Sequence, residues 1–138
     1  MNAKFAPGDA RIPVVSAADI VTARQQGRAL AARIGFDGTD LTVIATAISE
    51  LARNIIEYAK VGEIGLGVAQ RGSRIGMVVI ARDTGPGIPD VSKALQDGYT
   101  TGKGLGLGLP GVKRLMDEVE ILSEVGRGTT VTARKWLL

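Results

Sequence analysis

The sequence predicts an α/β (α+β) two-layer sandwich: a mixed, mostly antiparallel sheet with helices covering one face. Three observations carry this. Two long segments repeat apolar residues every three or four positions, as amphipathic helices do. Five shorter segments alternate apolar and polar residues or run continuously apolar, as strands do. The elements follow the order βααββ, then a glycine-rich stretch, then αββ, with no internal repeat and no linker. A chain of 138 residues fits one domain. Residues 1–10 are expected to form a tail and residues 11–138 the domain.

Arg11 to Val15 is a short strand candidate. Ser16 and Asp19 then open a helix as a capping box with the shorter acid. Its stripe is Ile20, Ala23, Gly27, Leu30, Ala31 and Ile34, and Gly35 ends it. Thr39 is expected to cap a second helix, running to about Lys60 and closed by Gly62. Its stripe, from Leu41 through Ile44, Ile48 and Leu51 to Ile55 and Ala59, is the clearest in the chain. Ile64, Leu66 and Val68 alternate as a half-buried strand, and Ile75 to Ala81 reads as a central one. Gln70 to Ser73 joins them as a hairpin turn. A short helix is expected over Leu109 to Asp117, with Pro110 in its first turn. A last hairpin pairs Val119–Val125 with Thr129–Leu137.

Composition removes whole classes of chemistry. Cysteine is absent, so disulfides, thiolate metal sites and cysteine nucleophiles are excluded. Histidine is absent too, which excludes Ser-His-Asp catalysis and autophosphorylation on histidine. Acid–base work falls to carboxylates, lysine or tyrosine. No apolar run approaches the ~20 residues of a membrane span, and no signal-peptide core follows Met1, so a cytoplasmic protein is expected. The net charge of +3 is mild and its basic residues are scattered, which does not favour a nucleic-acid partner. The 19 glycines are the informative excess, concentrated between Gly85 and Gly111.

Glu50 and Asn54 stand four residues apart, one turn above each other on the second helix. Counting ~100° per residue places both opposite the apolar stripe. An interior Asn weakens a helix, because its side chain competes for backbone hydrogen bonds. Its amide oxygen suits a hard cation such as Mg²⁺, and a carboxylate one turn away can orient or deprotonate an attacking hydroxyl.

Asp83-Thr-Gly85-Pro-Gly87-Ile88 follows the central strand. An acid at a strand tip, beside glycines that let backbone approach a ligand, can accept a hydrogen bond from an exocyclic amino group such as adenine's. Gly102-Lys-Gly104-Leu-Gly106-Leu-Gly108 then enters a helix, where free N–H groups favour phosphate and Lys103 adds charge. Gly106-x-Gly108-x-x-Gly111 matches a dinucleotide fingerprint only literally, since no strand precedes it. Gly98 to Lys103 is one residue short of a P-loop. Residues 89–101, between the glycine motifs, are expected to act as a lid over bound nucleotide.

Together these motifs resemble the GHKL, or Bergerat, ATP-binding superfamily. Glu50-Leu-Ala-Arg-Asn54 matches its N box, Asp83-Thr-Gly85-Pro-Gly87 its G1 box, and Gly102 to Gly108 its G2 box. Gly128-Thr129-Thr130-Val131 matches the strand whose threonine supports the adenine-binding Asp. The resemblance covers roughly residues 10–137 and implies the Bergerat fold, with ATP and Mg²⁺ as cofactors. It implies Glu50 as catalytic base, Asn54 as the Mg²⁺ ligand and Asp83 as the adenine reader. It extends the nucleotide-binding set to Gly85, Gly87, Ile88, Thr101, Lys103, Thr129 and the cradle Gly104, Leu105, Gly106, Leu107 and Gly108.

The strings SELARNIIEYA and DGYTTGKGLGLGLPGVKRLMDE are similar to the switch-protein serine kinases of the stressosome. That resemblance implies a cytoplasmic serine/threonine kinase acting on a STAS-domain antagonist. Once released from that scaffold, such a kinase activates a PP2C-type phosphatase in sigma-factor regulation. An anti-sigma factor serine kinase, which binds a sigma factor directly, shares every box and is the alternative.

Overall fold

The computed structural model describes residues 9–88 and 108–138. Among them are strands β1 (Ala10–Val14), β2 (Gly62–Arg71), β3 (Arg74–Asp83), β4 (Glu118–Glu124) and β5 (Gly128–Trp136). The helices among them are α1 (Ala17–Ile34), α2 (Gly38–Tyr58) and α3 (Gly108–Leu115).

The sheet order is β1-β2-β3-β5-β4, and every pair is antiparallel. The expected mixed sheet is therefore corrected for the described strands. The chain returns along α3, so β4 runs in the same direction as β3. β5 is inserted between them, with Asp83 opposite Thr129 and Ile121 opposite Val131, so no parallel pair forms.

The helix ends have local causes. Asp19 Oδ2 accepts the N–H groups of Val15 and Ser16 at 2.9 and 3.1 Å, fixing the start of α1. Gly35, with φ of 127°, ends it by donating to the Ala31 carbonyl at 3.1 Å. α2 is capped by Asp37 rather than Thr39, and the Asp37 carbonyl accepts from Asp40 at 3.1 Å. It stops at Tyr58, before Lys60. The Ala59 and Lys60 amides converge on the Ile55 carbonyl at 2.8 and 2.9 Å, and Lys60 turns left-handed at φ of 74°. Gly62 does not close the helix; it opens β2, where a side chain would collide with Ile55 and with the Arg82 carbonyl. α3 is shorter than expected, because Asp117 joins the sheet edge and donates to the Arg134 carbonyl at 2.9 Å.

The core lies between helices and sheet. Ile44, Ile48, Leu51 and Ile55 of α2 meet Ile64, Leu66, Met77, Val79 and Val131, all fully or nearly fully buried. Each such aliphatic side chain contributes about 1.5–3 kcal/mol of burial. Gly27 lets α1 approach α2, since a Cβ there would overlap Ile48 Cδ1. Val68, expected on the buried side of this strand with Ile64 and Leu66, is instead 52% exposed. β1 pairs no further than Ala10 with Leu66, so Val68 lies past the strand that would flank it.

The face away from the helices carries a second apolar cluster of Ala69, Val78, Ile80 and Trp136. The guanidinium groups of Arg71 and Arg74 stand 4.9 and 4.8 Å from the Trp136 ring centre. Both oxygens of Glu118 accept from Arg71, at 2.6 and 3.0 Å, and Oε2 also accepts from Trp136 Nε1 at 3.0 Å. The Arg71 hydrogen bonds, followed by that of Trp136, pull the Glu118 carboxyl down to about 2. The same pair raises the Arg71 pKa.

Candidate functional site

α2 forms one wall of the site. Its apolar side is occupied by the core, but the opposite side is not simply solvated. Glu50, placed by its spacing opposite the apolar stripe, is nevertheless only 7% exposed. The reason is α3, which packs against that side of α2. Glu50 Oε1 pairs with Arg53 Nη1 at 3.0 Å, and Oε2 accepts from the backbone N–H of Gly108 at 3.5 Å. The carboxylate thus faces the start of α3, the positive end of a helix dipole. Asn54, one turn along, is half-buried, and its amide makes no hydrogen bond among the described residues.

Asp83 ends β3. Its Oδ1 accepts the N–H of Gly85 at 2.9 Å and of Thr129 at 3.3 Å. Its Oδ2 makes no hydrogen bond among the described residues. One oxygen therefore fixes the carboxylate and the other remains an acceptor. Thr129, 6% exposed, steadies Asp83 through its backbone N–H. Its hydroxyl instead meets Ser123 Oγ at 2.8 Å. A cleft of about 410 Å³ opens at these strand ends, lined by Asp83, Ser123, Arg127 and Thr129 among others.

The first glycine motif is shaped by protein packing rather than only by room for a ligand. A Cβ on Gly85 would lie 2.6 Å from that of Ala59, so this glycine seats the loop against the end of α2. Gly87, with φ of 81°, would meet the Glu124 carbonyl oxygen at 2.5 Å. Ile88 closes the motif, its N–H donating to Ser123 Oγ at 2.7 Å. α2 therefore touches the Asp83 loop near its C-terminal end and the start of α3 at mid-length, with Asn54 between. Thr101, Lys103, Gly104, Leu105, Gly106 and Leu107 lie outside the described residues, as does the lid expected over residues 89–101.

Two residues at the site escaped the sequence reading. Arg53 stood inside the N motif without a role. Ser123 carried a signal: it is the polar member of the inward series Val119, Ile121, Ser123 on an alternating strand. Among the described residues no group of three or more Asp or Glu side chains could hold a metal. The amide of Asn54, without a partner among the described residues, fits Mg²⁺ that arrives already ligated by phosphate oxygens and water, because Mg²⁺ keeps most of that shell.

Residues 15–135 match the family model of the histidine kinase-like ATPase domain. The chain is 57% identical over 120 residues to the serine/threonine-protein kinase RsbT of Bacillus subtilis, covering 86% of this chain and 90% of that protein. It is 34% identical over 121 residues to the anti-sigma F factor of a Thermoanaerobacter species, covering 83% of each. Among solved structures, it is similar to one of the RsbU and RsbW domains of a Mycobacterium tuberculosis protein, with a TM-score of 0.59 and 27% identity. That alignment covers 92% of this chain and 32% of the other, so the chain spans about a third of that structure. No described helix is long and apolar enough to cross a membrane. The chain belongs to the histidine kinase-like ATPase domain family.

Proposed function

We propose that the protein is a serine/threonine kinase that transfers the γ-phosphoryl group of Mg-ATP to a STAS-domain antagonist. The observation that carries this reading is the divided Asp83 carboxylate, with Oδ1 holding Gly85 and Thr129 and Oδ2 left as an acceptor. An acceptor fixed in this way suits the amino group of adenine and repels the carbonyl of guanine. The 57% identity to RsbT supports the activity.

In this reading the base sits at Asp83 and the phosphates lie toward the α3 start; Lys103, outside the described residues, supplies charge to them. Asn54 supplies an amide oxygen to Mg²⁺, which when bound neutralises charge on the phosphates. Glu50, held by Arg53 and facing Gly108, orients the acceptor hydroxyl and receives its proton. Phosphoryl transfer asks the protein mainly for positioning and charge neutralisation, and these groups provide both. Release from the antagonist frees the kinase to activate a PP2C-type phosphatase in the cytoplasm, with neither nucleic acid nor membrane as a partner.

The similarity to anti-sigma F factors supports a second reading, a kinase that binds a sigma factor directly. Incubation with labelled ATP and a candidate STAS-domain protein tests the first. Phosphoserine or phosphothreonine on the STAS protein is expected. Capture of a sigma factor with no label on the STAS protein would favour the second reading instead.

A further inference from the structure

The loop after β3 is held at three points. Asp83 Oδ1 accepts from Gly85 at its start, the Gly126 N–H donates to the Pro86 carbonyl at 2.8 Å, and Ser123 Oγ accepts from Ile88 at 2.7 Å at its end. Ser123 is the junction, because it also meets the two residues that open β5. Its Oγ lies 3.3 Å from the Gly128 carbonyl and 2.8 Å from Thr129 Oγ1.

A hydroxyl has one proton to give and two lone pairs to receive. The Ile88 N–H can only donate, so it occupies one lone pair of Ser123. A carbonyl can only accept, so Gly128 takes the Ser123 proton. The remaining lone pair then receives the Thr129 proton. This is the single arrangement in which all three contacts are hydrogen bonds. It leaves Thr129 Oγ1 with lone pairs and no free proton.

We propose that Ser123 is a specificity-determining positioning residue that holds the Thr129 hydroxyl as an acceptor. This inference rests on the ATP reading above. With Asp83 Oδ2, Thr129 then offers the cleft acceptors alone, whether to the base itself or to a water between them. Such a site favours the amino group of adenine. It disfavours guanine, whose carbonyl at the same position needs a donor. Without the Ser123 oxygen, the Thr129 proton is released to the cleft and can serve that carbonyl.

The test titrates Mg-ATP and Mg-GTP by calorimetry into the wild type, Ser123→Ala, Ser123→Thr and Thr129→Val, with circular dichroism confirming the fold. The wild type is expected to prefer ATP. Ser123→Ala should lose about 3–10-fold of that preference, the scale of one hydrogen bond, chiefly by binding GTP better. Ser123→Thr should restore the preference. If Ser123→Ala does not fold, Thr129→Val replaces it, and a loss of preference there supports the assignment. A general loosening of the loop would weaken both nucleotides alike. An unchanged ratio in Ser123→Ala, or in Thr129→Val where that variant must decide, overturns the role of Ser123 while leaving ATP binding intact. A wild type that binds neither nucleotide overturns the ATP reading and this inference with it.

Discussion

Glu50 is held in an ion pair with Arg53 one helical turn away, Oε1 to Nη1 at 3.0 Å, and its side chain is 8% exposed. A buried carboxylate needs such a partner, and this one keeps Glu50 aimed at the start of α3. Glu50→Gln preserves the shape and removes the proposed proton acceptor. Phosphoryl transfer is expected to fall roughly 100-fold with ATP affinity nearly unchanged. Single-turnover transfer alongside calorimetry separates the two quantities.

Asn54 has an amide without a partner among the described residues, so removing it disrupts no hydrogen bond among them. Asn54→Ala should fold with wild-type stability. It should lose about 10–100-fold in Mg²⁺-dependent transfer, as expected for one lost interaction with a charged group. Titrating Mg²⁺ at fixed ATP checks this, and a raised Mg²⁺ requirement is the expected result.

Gly87 combines a φ of 81° with a close approach to the Glu124 carbonyl. Gly87→Ala must strain the backbone and push the loop off the β4–β5 hairpin. A destabilisation of about 1–3 kcal/mol is expected, measured by urea unfolding. Gly126→Ala also has positive φ but meets nothing within 4 Å, so it isolates the strain from the collision.

Glu118 has a carboxyl pKa of about 2, below its ordinary value of 4.5, because Arg71 and Trp136 both donate to it. A lowered folded-state pKa contributes stability that is fully present above pH 4.5 and lost as the pH falls toward 2. The stability advantage of the wild type over Glu118→Gln should therefore be constant near neutrality and shrink across that acidic window. The single tryptophan, Trp136, reports the unfolding by fluorescence.

Periodicity made the helices and the core legible. The stripe of α2 is the row that meets the sheet, because a 3.6-residue repeat maps directly onto one buried face. The motifs likewise marked Glu50, Asn54 and Asp83 by residue type and spacing. What escaped were relations set by distant packing. Glu50 is buried by α3, an element 58 residues further on, which no helical wheel includes. Gly85 and Gly87 matched a motif, yet their closest constraints are Ala59 and Glu124. Thr129 supports Asp83 through its backbone, while its hydroxyl turns to Ser123, and a sequence does not say which atom of a residue makes a contact.

In the proposed function Asp83 reads the adenine of a bound ATP. Calorimetric titration of Mg-ATP into the wild type and Asp83→Asn tests it most directly. One ATP per chain is expected for the wild type, with an affinity loss of about 10–100-fold in the variant, since an amide replaces a charged acceptor. Equal affinity in the two proteins, or no binding by the wild type, would contradict it.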